Sequence, residues 1–507
     1  MQTAHRIPLG RRPLLAGLGA LALTPLAARA EGGEIIVGAL GDILSFDGYQ
    51  YGDRNYVIQR LVYDHLLDYD YQLNPHPSGL KSWTMAPDHQ SATLEMQPGI
   101  ILHTGRPWQV ADLVQSLERA ANPKEAWQLL GPMAVVKSWR PTGERTVELT
   151  FNEAVADSVL TDLLSTMPVT DRDRNSIAQL VSAPAGGGPF RLVSRSPNDE
   201  IVLERFGKYW RNGEPTLDRV TIKIFDNQDS MVSALESGAI QMISVFKPDD
   251  AARLKSSFTI GEGYEGALGD VIRFNPLRPP YDNVKLRQAI RRATDRARIA
   301  REVYAGYATP QWTAWVTSSV GHDPSYRAKD DYDLDEAARL LKEAGSPRSG
   351  TIMADPGVPS PLKAIQIIQS DLRKIGFDWQ IDPVDAATFA RRGVGSDFGV
   401  FYANIGNIGK RSPSAVTTNS FMRVANNVVW KDQLPQSYVD AMRKVRTAAT
   451  PDAERAACAE LNAVIDEYCW FVPVVLKRTL TAMDKDITGV WRDIDDRLDL
   501  RLAKLSG

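Results

Sequence analysis

The chain has 507 residues, of which 59 are lysine or arginine and 62 are aspartate or glutamate, so its formal net charge is −3 at pH 7. This mildly acidic balance gives no electrostatic reason to bind nucleic acid or anionic lipid. A chain of this length needs more than one hydrophobic core, so we expect two or three lobes.

The first thirty residues have the pattern of an export signal. A basic region with the pair Arg11-Arg12 precedes an apolar run, Leu14 to Leu26, and Ala28-Arg29-Ala30 is a small-x-small cleavage site before Glu31. The run is shorter than the about 20 residues that cross a bilayer, so we expect cleavage after Ala30. The arginine pair is compatible with either Sec or twin-arginine export. Cleavage would remove four arginines and no acid, which changes the net charge from −3 to −7.

The mature chain opens with an apolar strand, Ile35 to Ala39, and a turn at Gly41-Asp42. GLKSW follows at residues 79–83, and after it come a strand-like SATLEMQPGIILHTGRPW and a helix-like VADLVQSLERAANP. The same alternation continues further along, because residues 217–243 read as strand, helix and strand. Alternating strands and helices predict α/β lobes with mixed sheets.

Two helical patterns follow in the second half of the chain. Residues 284–305 carry an interrupted apolar stripe, and the four arginines 287, 291, 292 and 296 lie mostly off it. We expect them on a solvated helix face, paired with Asp295, Glu302 and loop acids, and an anion site is the alternative. Asp335 reads as the N-terminal cap region of the next helix, and Gly345 as its C-terminal end.

Together these segments resemble extracellular solute-binding family 5, the peptide/nickel-binding proteins of bacterial ABC importers. In the N-terminal half, the matching residues are Gly79, Leu80, Ser82, Trp83, Pro98, Gly99, His103, Gly105, Ala111, Asp112, Val114, Ser116 and Arg119. In the C-terminal half they are Asn275, Pro279, Pro280, Tyr281, Asp282, Arg287, Gln288, Ala289, Ile290, Asp295, Arg296, Ile299, Gly306 and Pro310. Recognisable segments run from about residue 35 to 490, with departures at Gly187 and Gln241.

The resemblance implies an α/β, two-lobed periplasmic binding protein of the Venus flytrap type, with mixed sheets and an additional N-terminal lobe. Strands near residues 262–275 and 470–478 would join the two main lobes. The expected division is a signal peptide at 1–30, a discontinuous lobe I at 31–50, 183–265 and 475–507, an additional lobe at 51–182, and an opposing lobe at 266–474.

The resemblance also implies the function of a periplasmic substrate-binding component of an ABC importer. Such a protein captures a small solute between its lobes and delivers it to the permease subunits in the inner membrane. It would be a monomer, not an enzyme, with no cofactor, metal or nucleic-acid partner. Two alternatives stay open, an exported hydrolase and a chaperone-like periplasmic binding module, although neither GxSxG nor HExxH occurs in the chain.

The ligand prediction depends on one divergent segment. In peptide-binding relatives an aspartate here pairs with the α-ammonium of the peptide, whereas this chain has Gly406 at or near that position, with Asn404, Asn407, Lys410 and Arg411 around it. Amide and guanidinium donors suit hydroxyls, carboxylates or phosphates better than a free amine. We therefore expect a peptide or, in better agreement with these residues, a modified or anionic peptide-like or sugar-acid-like ligand. A merely different loop shape is the alternative.

The predicted ligand-binding residues lie after strands, where open α/β sheets present ligand-facing loops. They are Tyr49 and Gln50 after the first strand, Phe246 and Lys247 after the strand ending at Val245, and Asn404, Asn407 and Arg411 in the divergent segment. Each has an alternative role in stabilising its loop.

Several other patterns do not support a site. GEGYEG at residues 261–266 has the glycine spacing of a dinucleotide loop, but a strand rather than a helix follows it. The alternating acids at 330–335 lack the glycine and glutamate of a calcium loop. His65, His76, His89 and His103 are not at metal-binding helical spacing. Cys458 and Cys469 share one helical segment, which sets them too far apart for a disulfide, so we expect both to be buried and reduced.

Overall fold

A computed structural model describes residues 33–506, apart from residues 51–53, 123, 126–128, 246, 267, 328–330, 357–358, 407–412, 414–415 and 417–420. The described chain contains sheets of seven, six and four strands and three two-stranded sheets. The seven- and six-stranded sheets combine parallel with antiparallel pairs. The predicted α/β fold with mixed sheets is confirmed.

The seven-stranded sheet is the centre of lobe I. In spatial order its strands are β12 (Thr259–Glu262), β19 (Leu480–Met483), β11 (Met242–Val245), β1 (Glu34–Leu40), β10 (Arg219–Phe225), β9 (Glu200–Arg205) and β8 (Phe190–Ser196). Helices α6 (Gln228–Glu236) and α7 (Pro248–Leu254) cover it, and β1 runs parallel to both β10 and β11. The strand, helix and strand predicted over residues 217–243 are confirmed as β10, α6 and β11.

The additional lobe is built on an antiparallel four-stranded sheet. Its strands, in spatial order, are β4 (Leu80–Met85), β5 (Ser91–Met96), β7 (Thr146–Phe151) and β6 (Val136–Pro141). A separate two-stranded sheet, β2 (Leu67–Tyr69) and β3 (Pro75–Pro77), precedes these strands in the sequence. The helices of this part of the chain are α1 (Gln59–Val62), α2 (Val110–Ala120), α3 (Leu130–Met133), α4 (Asp157–Thr166) and α5 (Ile177–Leu180).

The six-stranded sheet is the centre of the opposing lobe. Its strands, in spatial order, are β14 (Ala308–Pro310), β18 (Phe471–Lys477), β13 (Leu268–Phe274), β17 (Val400–Gly406), β15 (Ser349–Ala354) and β16 (Asp378–Pro383). Its helices are α8 (Val284–Arg292), α9 (Arg296–Glu302), α10 (Leu334–Glu343), α11 (Pro359–Lys374), α12 (Ala386–Val394), α13 (Gln436–Thr447) and α14 (Pro451–Tyr468). Both faces of this sheet pack against buried clusters, so almost every residue of β13 is buried.

After β19 the chain ends in two short antiparallel pairs, β20 (Ile487–Thr488) with β23 (Lys504–Leu505) and β21 (Trp491–Arg492) with β22 (Leu498–Asp499). This C-terminal segment holds the additional lobe through buried charges. The guanidinium of Arg60 contacts Nδ1 of His65 at 2.7 Å, and that of Arg497 contacts Nε2 of the same ring at 2.6 Å. Because Arg497 contacts His65 and Asp493 lies 3.8 Å from Arg60, this network connects the additional lobe to the C-terminal end of lobe I.

The glycine-rich segment 186–188 is explained by close backbone packing. A Cβ atom on Gly186 would lie 2.1 Å from the carbonyl oxygen of Val62, and one on Gly188 would lie 2.5 Å from the backbone nitrogen of Tyr63. Nε2 of His103, one of the motif residues, donates to the Gly188 carbonyl at 3.0 Å. Burial lowers the pKa of His103 to about 4, so the ring is neutral and structural.

The structure corrects two details of the sequence analysis. Residues 284–305 form two helices, α8 and α9, and Arg287 and Arg296 are buried at their interface with the rest of the lobe. Arg287 donates to the backbone carbonyl of Tyr468 and Arg296 to that of Pro473 at 2.9 Å. The cap of α10 is Asp333, whose carboxylate accepts from the backbone N–H of Glu336 at 2.9 Å, and not the predicted Asp335.

Candidate functional site

Two segments connect the seven-stranded sheet with the six-stranded sheet. One is residues 263–267, between β12 and β13, and the other is residues 478–479, between β18 and β19. The two run side by side, since the backbone N–H of Gly263 donates to the carbonyl of Thr479 at 2.8 Å. β18 stays in the six-stranded sheet as far as Lys477, so the boundary predicted at residues 474/475 falls inside a strand. We refer to residues 263–267 and 478–479 as the hinge.

The strand ends of both sheets face the hinge. In lobe I the last residue of β11, Val245, pairs with Leu480, the first residue after the hinge. In the opposing lobe the last residue of β17, Gly406, pairs with Leu268, the first residue of β13. β15 runs parallel to β17, so its carboxyl end points the same way. Ligands of open α/β sheets bind outside the carboxyl ends of strands, so the space between these ends, the cleft, is the candidate site.

The opposing lobe also contacts both other lobes across the cleft. Asp249, just after β11, lies 3.8 Å from Nζ of Lys363 on α11. On the additional lobe, Glu153 pairs with Arg446 at 2.6 Å, and the Ser158 hydroxyl donates to Glu454 at 2.9 Å. Burial raises the pKa of Glu454. The opposing lobe is therefore in contact with both other lobes.

Of the predicted residues after β1, Tyr49 lies in the interior. Its side chain is 1% exposed, its hydroxyl donates to the carbonyl of Ser116 at 3.2 Å, and the Arg119 guanidinium lies 4.7 Å from its ring centre. Burial raises the pKa of Tyr49 to about 12. The backbone carbonyl of Gln50 accepts from Gln59 at 2.8 Å, which fixes the loop. These contacts give Tyr49 a supporting position beneath the loop.

Lys247 lies at the rim of the cleft. It occupies the N-cap position of α7 without a capping side-chain hydrogen bond and extends an exposed ammonium to Asp229 at 2.6 Å, and this hydrogen bond raises the pKa of Lys247. Its neighbour Asp249 makes the contact with Lys363 described above. The predicted residue Phe246 lies outside the described residues.

In the divergent segment, Asn404 is placed by its backbone in β17, opposite Asp270 of β13. Its side chain lies outside the described part of the chain, as do residues Asn407 and Arg411 in full. The structure thus brings the chain positions 404 and 247 to the carboxyl ends of strands in opposite lobes, whereas Tyr49 is packed within the core of the additional lobe.

Sequence reasoning did not single out two charged residues of β13, the strand that follows the hinge. The carboxylate of Asp270 is fully buried, pairs with Nζ of Lys477 at 2.7 Å, and accepts hydrogen bonds from the hydroxyls of Tyr402, at 3.1 Å, and Tyr304. Both hydroxyls donate to Oδ2, whereas Oδ1 faces the ammonium at ion-pair distance without a hydrogen bond from the described residues, so the charge of this buried carboxylate is compensated mainly by Lys477. Charged residues within a central strand are the signal that would have pointed to it.

Arg273, three residues later, faces the other side of the sheet and, unlike Asp270, has no ion-pair partner among the described residues. Its side chain is 2% exposed, and Cζ lies 3.6 Å from the ring centre of Phe421 and 5.8 Å from that of Phe471. Neither Nε nor Nη2 has a hydrogen-bond partner among the described residues. Burial without a compensating charge lowers the pKa of Arg273 well below its usual range.

The stretch of chain that places Phe421 beside Arg273 has no acidic residue and a net positive charge. From Phe398 to Lys431 the sequence contains no aspartate or glutamate, and its charged residues are Lys410, Arg411, Arg423 and Lys431. This stretch includes all of β17 and the chain that follows it as far as Lys431, with Phe421 among its residues. The sequence that follows β17 therefore carries a net positive charge in a chain that is acidic as a whole.

Other kinds of site find no support in the described parts of the molecule. No three histidine, cysteine or acidic side chains there are grouped to hold a metal ion. Within the same residues, no helix combines the length and apolar character that a membrane span requires. Both cysteines are buried and free, as predicted.

The two main lobes are built on separate sheets, are joined by the two hinge segments, and have the carboxyl ends of their strands on the hinge side. This arrangement is that of a solute-binding protein of the periplasmic type. The family model described as "Bacterial extracellular solute-binding proteins, family 5 Middle" matches residues 74–426. The chain belongs to this family, the solute-binding components of ABC importers. A similar protein of known name is the glutathione-binding protein GsiB of Escherichia coli K12, 24% identical over 477 residues that span 90% of this chain and 92% of GsiB.

Solved structures show the same two-lobed fold. AgaA of A. tumefaciens R10, in complex with agropinic acid, has a TM-score of 0.78 at 22% identity and covers 94% of this chain and 99% of its own. DppA of Helicobacter pylori, in complex with the peptide STSA, has a TM-score of 0.77 at 19% identity, with 94% and 98% covered. CtaP of Listeria monocytogenes reaches 0.83 at 20% identity, with 94% and 100% covered. The family model confirms the predicted family, and these structures confirm the predicted two-lobed fold.

Proposed function

We propose that this solute-binding protein works in the periplasm, captures an anionic peptide-like or sugar-acid-like solute in the cleft, and delivers it to an inner-membrane permease. The observation that carries the proposal is the basic, acid-free stretch at the carboxyl end of β17. A free ammonium would be buried there without a carboxylate, which is costly, whereas a carboxylate or phosphate would meet several donors. Agropinic acid, the ligand named for AgaA, carries a carboxylate, and glutathione, named for GsiB, is a net anion because it has two carboxylates to its one ammonium, whereas an unmodified neutral dipeptide has one of each.

In this proposal the solute is contacted from both lobes. Gln50, Phe246 and Lys247 contribute from lobe I, and Asn404, Asn407 and Arg411 from the opposing lobe, while Tyr49 supports the loop from beneath. Ligand stabilises closure because only the closed form contacts it from both sides. The mature protein begins at Glu31 after export by the Sec or twin-arginine route, and N-terminal sequencing of periplasmic material tests this.

The solute class is tested by native mass spectrometry for a carried-over ligand and by thermal-shift titration of four probes. Glutathione and agropinic acid should raise the melting temperature, and the peptides STSA and Met-Leu should raise it little. Small-angle scattering should show compaction with the probe that binds. Binding of STSA or Met-Leu that is tighter than that of glutathione and agropinic acid would contradict the proposal.

The role of the divergent segment is tested with Arg411→Ala. Loss of a hydrogen bond to a charged group should weaken binding of the anionic probe by about 1.5–3 kcal/mol, with the melting temperature of the ligand-free protein unchanged. Lys431→Ala, a cation at the far end of the same stretch, serves as the control and should leave the affinity unchanged.

A further inference from the structure

The additional lobe and the opposing lobe meet at a polar contact between the start of α4 and the start of α14. Glu153 pairs with Arg446 at 2.6 Å, and the backbone N–H of Ala156 donates to the carbonyl of Arg446 at 3.2 Å. The hydroxyl of Ser158 donates to Oε1 of Glu454 at 2.9 Å. We refer to these five residues as the interlobe contact.

The interlobe contact joins two bodies that the hinge allows to separate. The additional lobe is connected to lobe I through the buried charges of Arg60 and Arg497 on either side of His65, so we expect it to move with lobe I. The helix α14 belongs to the opposing lobe, because it leads directly into β18 of the six-stranded sheet. Whatever strengthens the interlobe contact therefore favours the closed form over the open form.

Glu454 faces two acids across this contact. Burial raises the pKa of Glu454, and so do the charges of Asp162 and Asp157 on α4, whereas the hydrogen bond from Ser158 lowers it. Glu454 lies in the first turn of α14, where the helix dipole ordinarily favours a carboxylate. The protonated form of Glu454 is therefore favoured by the contact with the other lobe and not by the helix that carries it.

On the side of the additional lobe, the two acids have partners of their own. Nδ1 of His89 lies 3.3 Å from Asp157, and the hydroxyl of Tyr69 donates to Asp162 at 3.1 Å. Both partners belong to the additional lobe, so these interactions are present whether the cleft is open or closed. What closure changes is the approach of Glu454 to the two acids.

On the side of the opposing lobe, Arg446 is the cation of the contact, and it is paired with an acid of the additional lobe. Asp452 and Arg455 are exposed, and residues one and two positions away from Glu454 do not share its helix face. One turn further along α14 is the thiol of Cys458, which is neutral because burial raises its pKa. The charges that act on Glu454 are thus those of the two carboxylates on α4.

We propose that the interlobe contact is a proton-operated latch, in which Glu454 takes up one proton from the solvent as the lobes close, so that acidification favours the closed form. A protonated Glu454 does not repel Asp157 and Asp162, and its second oxygen still accepts the hydrogen bond from Ser158. Since closure favours the protonated form, protonation favours closure to the same extent. The inference rests on the proposed closing of the cleft but not on the identity of the solute.

The test is small-angle scattering of the ligand-free protein from pH 4 to 7. The wild type should become more compact as the pH falls, with a midpoint above pH 4.5, the ordinary pKa of a glutamate. Glu454→Gln, which imitates the protonated form, should have the compact profile at every pH. Glu460→Gln is the matched control and should respond to pH as the wild type does, because Glu460 lies on the same helix, exposes 52% of its side chain and pairs with Lys444.

A second readout separates the latch from the proposed function. Calorimetric titration of glutathione should show proton uptake by the wild type on binding, and the Kd should fall by about fivefold or more from pH 7 to pH 5, the lower end of typical coupling between two sites. Glu454→Gln should show neither effect. If glutathione does not bind but scattering still depends on pH through Glu454, the latch stands and the proposed solute is wrong. The latch is overturned if the scattering of the wild type does not change with pH, or if Glu454→Gln responds to pH as the wild type does, even where glutathione still compacts the protein.

Discussion

The ion pair between Asp270 and Lys477 next to the hinge should be among the most sensitive points of the opposing lobe. Asp270 is fully buried, and Lys477 exposes 14% of its side chain. Asp270→Asn keeps the shape of the side chain but removes the charge, which leaves the ammonium of Lys477 in the interior without a carboxylate.

The size of the effect follows from the burial of the two partners. Breaking a buried ion pair by removing one partner costs about 3–5 kcal/mol. Since Lys477 keeps some contact with water, we take the lower end, about 3 kcal/mol. For a lobe of this size, a loss of about 1 kcal/mol lowers the melting temperature by about 2–4 °C, so Asp270→Asn should melt about 6–12 °C below the wild type.

Thermal unfolding followed by circular dichroism measures this difference. The matched control is Asp249→Asn, which removes a carboxylate 81% exposed and 3.8 Å from Lys363, and it should change the stability by less than about 1 kcal/mol. The double variant Asp270→Asn/Lys477→Met should recover much of the loss, because no unpaired ammonium is left. The reasoning is refuted if Asp270→Asn melts with the wild type, or if the double variant loses the sum of both single effects.

Three further predictions concern individual side chains. Tyr49→Phe should lower the free energy of unfolding by about 1 kcal/mol through loss of one hydrogen bond, and calorimetry should find the solute affinity unchanged. Because the pKa of Glu454 is raised above 4.5, the folded form holds the Glu454 proton up to a higher pH than the unfolded form does. The free energy of unfolding should therefore fall as pH rises through the interval between the folded and unfolded pKa values. Melts from pH 4 to 7 measure this, and Glu454→Gln should abolish the contribution of Glu454 to the slope. Burial raises the pKa of the Cys458 thiol, so iodoacetamide should label neither Cys458 nor Cys469 until denaturant is added, as mass spectrometry would show.

Local sequence patterns predicted helices and strands correctly where the apolar periodicity and the turn residues of an element all lie within one short segment. The strand, helix and strand over residues 217–243 appear as expected, and no helix follows Gly261 to Gly266, which instead form the end of β12 and most of the first hinge segment before β13. The cap of α10 was misplaced by two residues because Asp333 and Asp335 both suit a helix N-terminus, and only the geometry selects Asp333.

The arginines of α8 and α9 show where local patterns cease to be informative. Periodicity gives the face of a helix on which Arg287 lies, but it does not say which remote backbone lies against that face. The carbonyl of Tyr468, far away in sequence, accepts from Arg287 and makes burial possible. Long charged side chains are therefore easily assigned to solvent when their partners are distant.

By itself the sequence determined the order of strands and helices, the family signature, and the absence of acids around the carboxyl end of β17. Only the tertiary structure decided the fates of Asp270 and Arg273, two charges in one strand. Side chains three residues apart in a strand point to opposite faces, so each meets different neighbours. Asp270 meets Lys477 and two tyrosines brought in from other strands and helices, whereas Arg273 meets aromatic rings and, among the described residues, no anion. The pairing of a buried charge depends on contacts remote in sequence, which no local pattern contains.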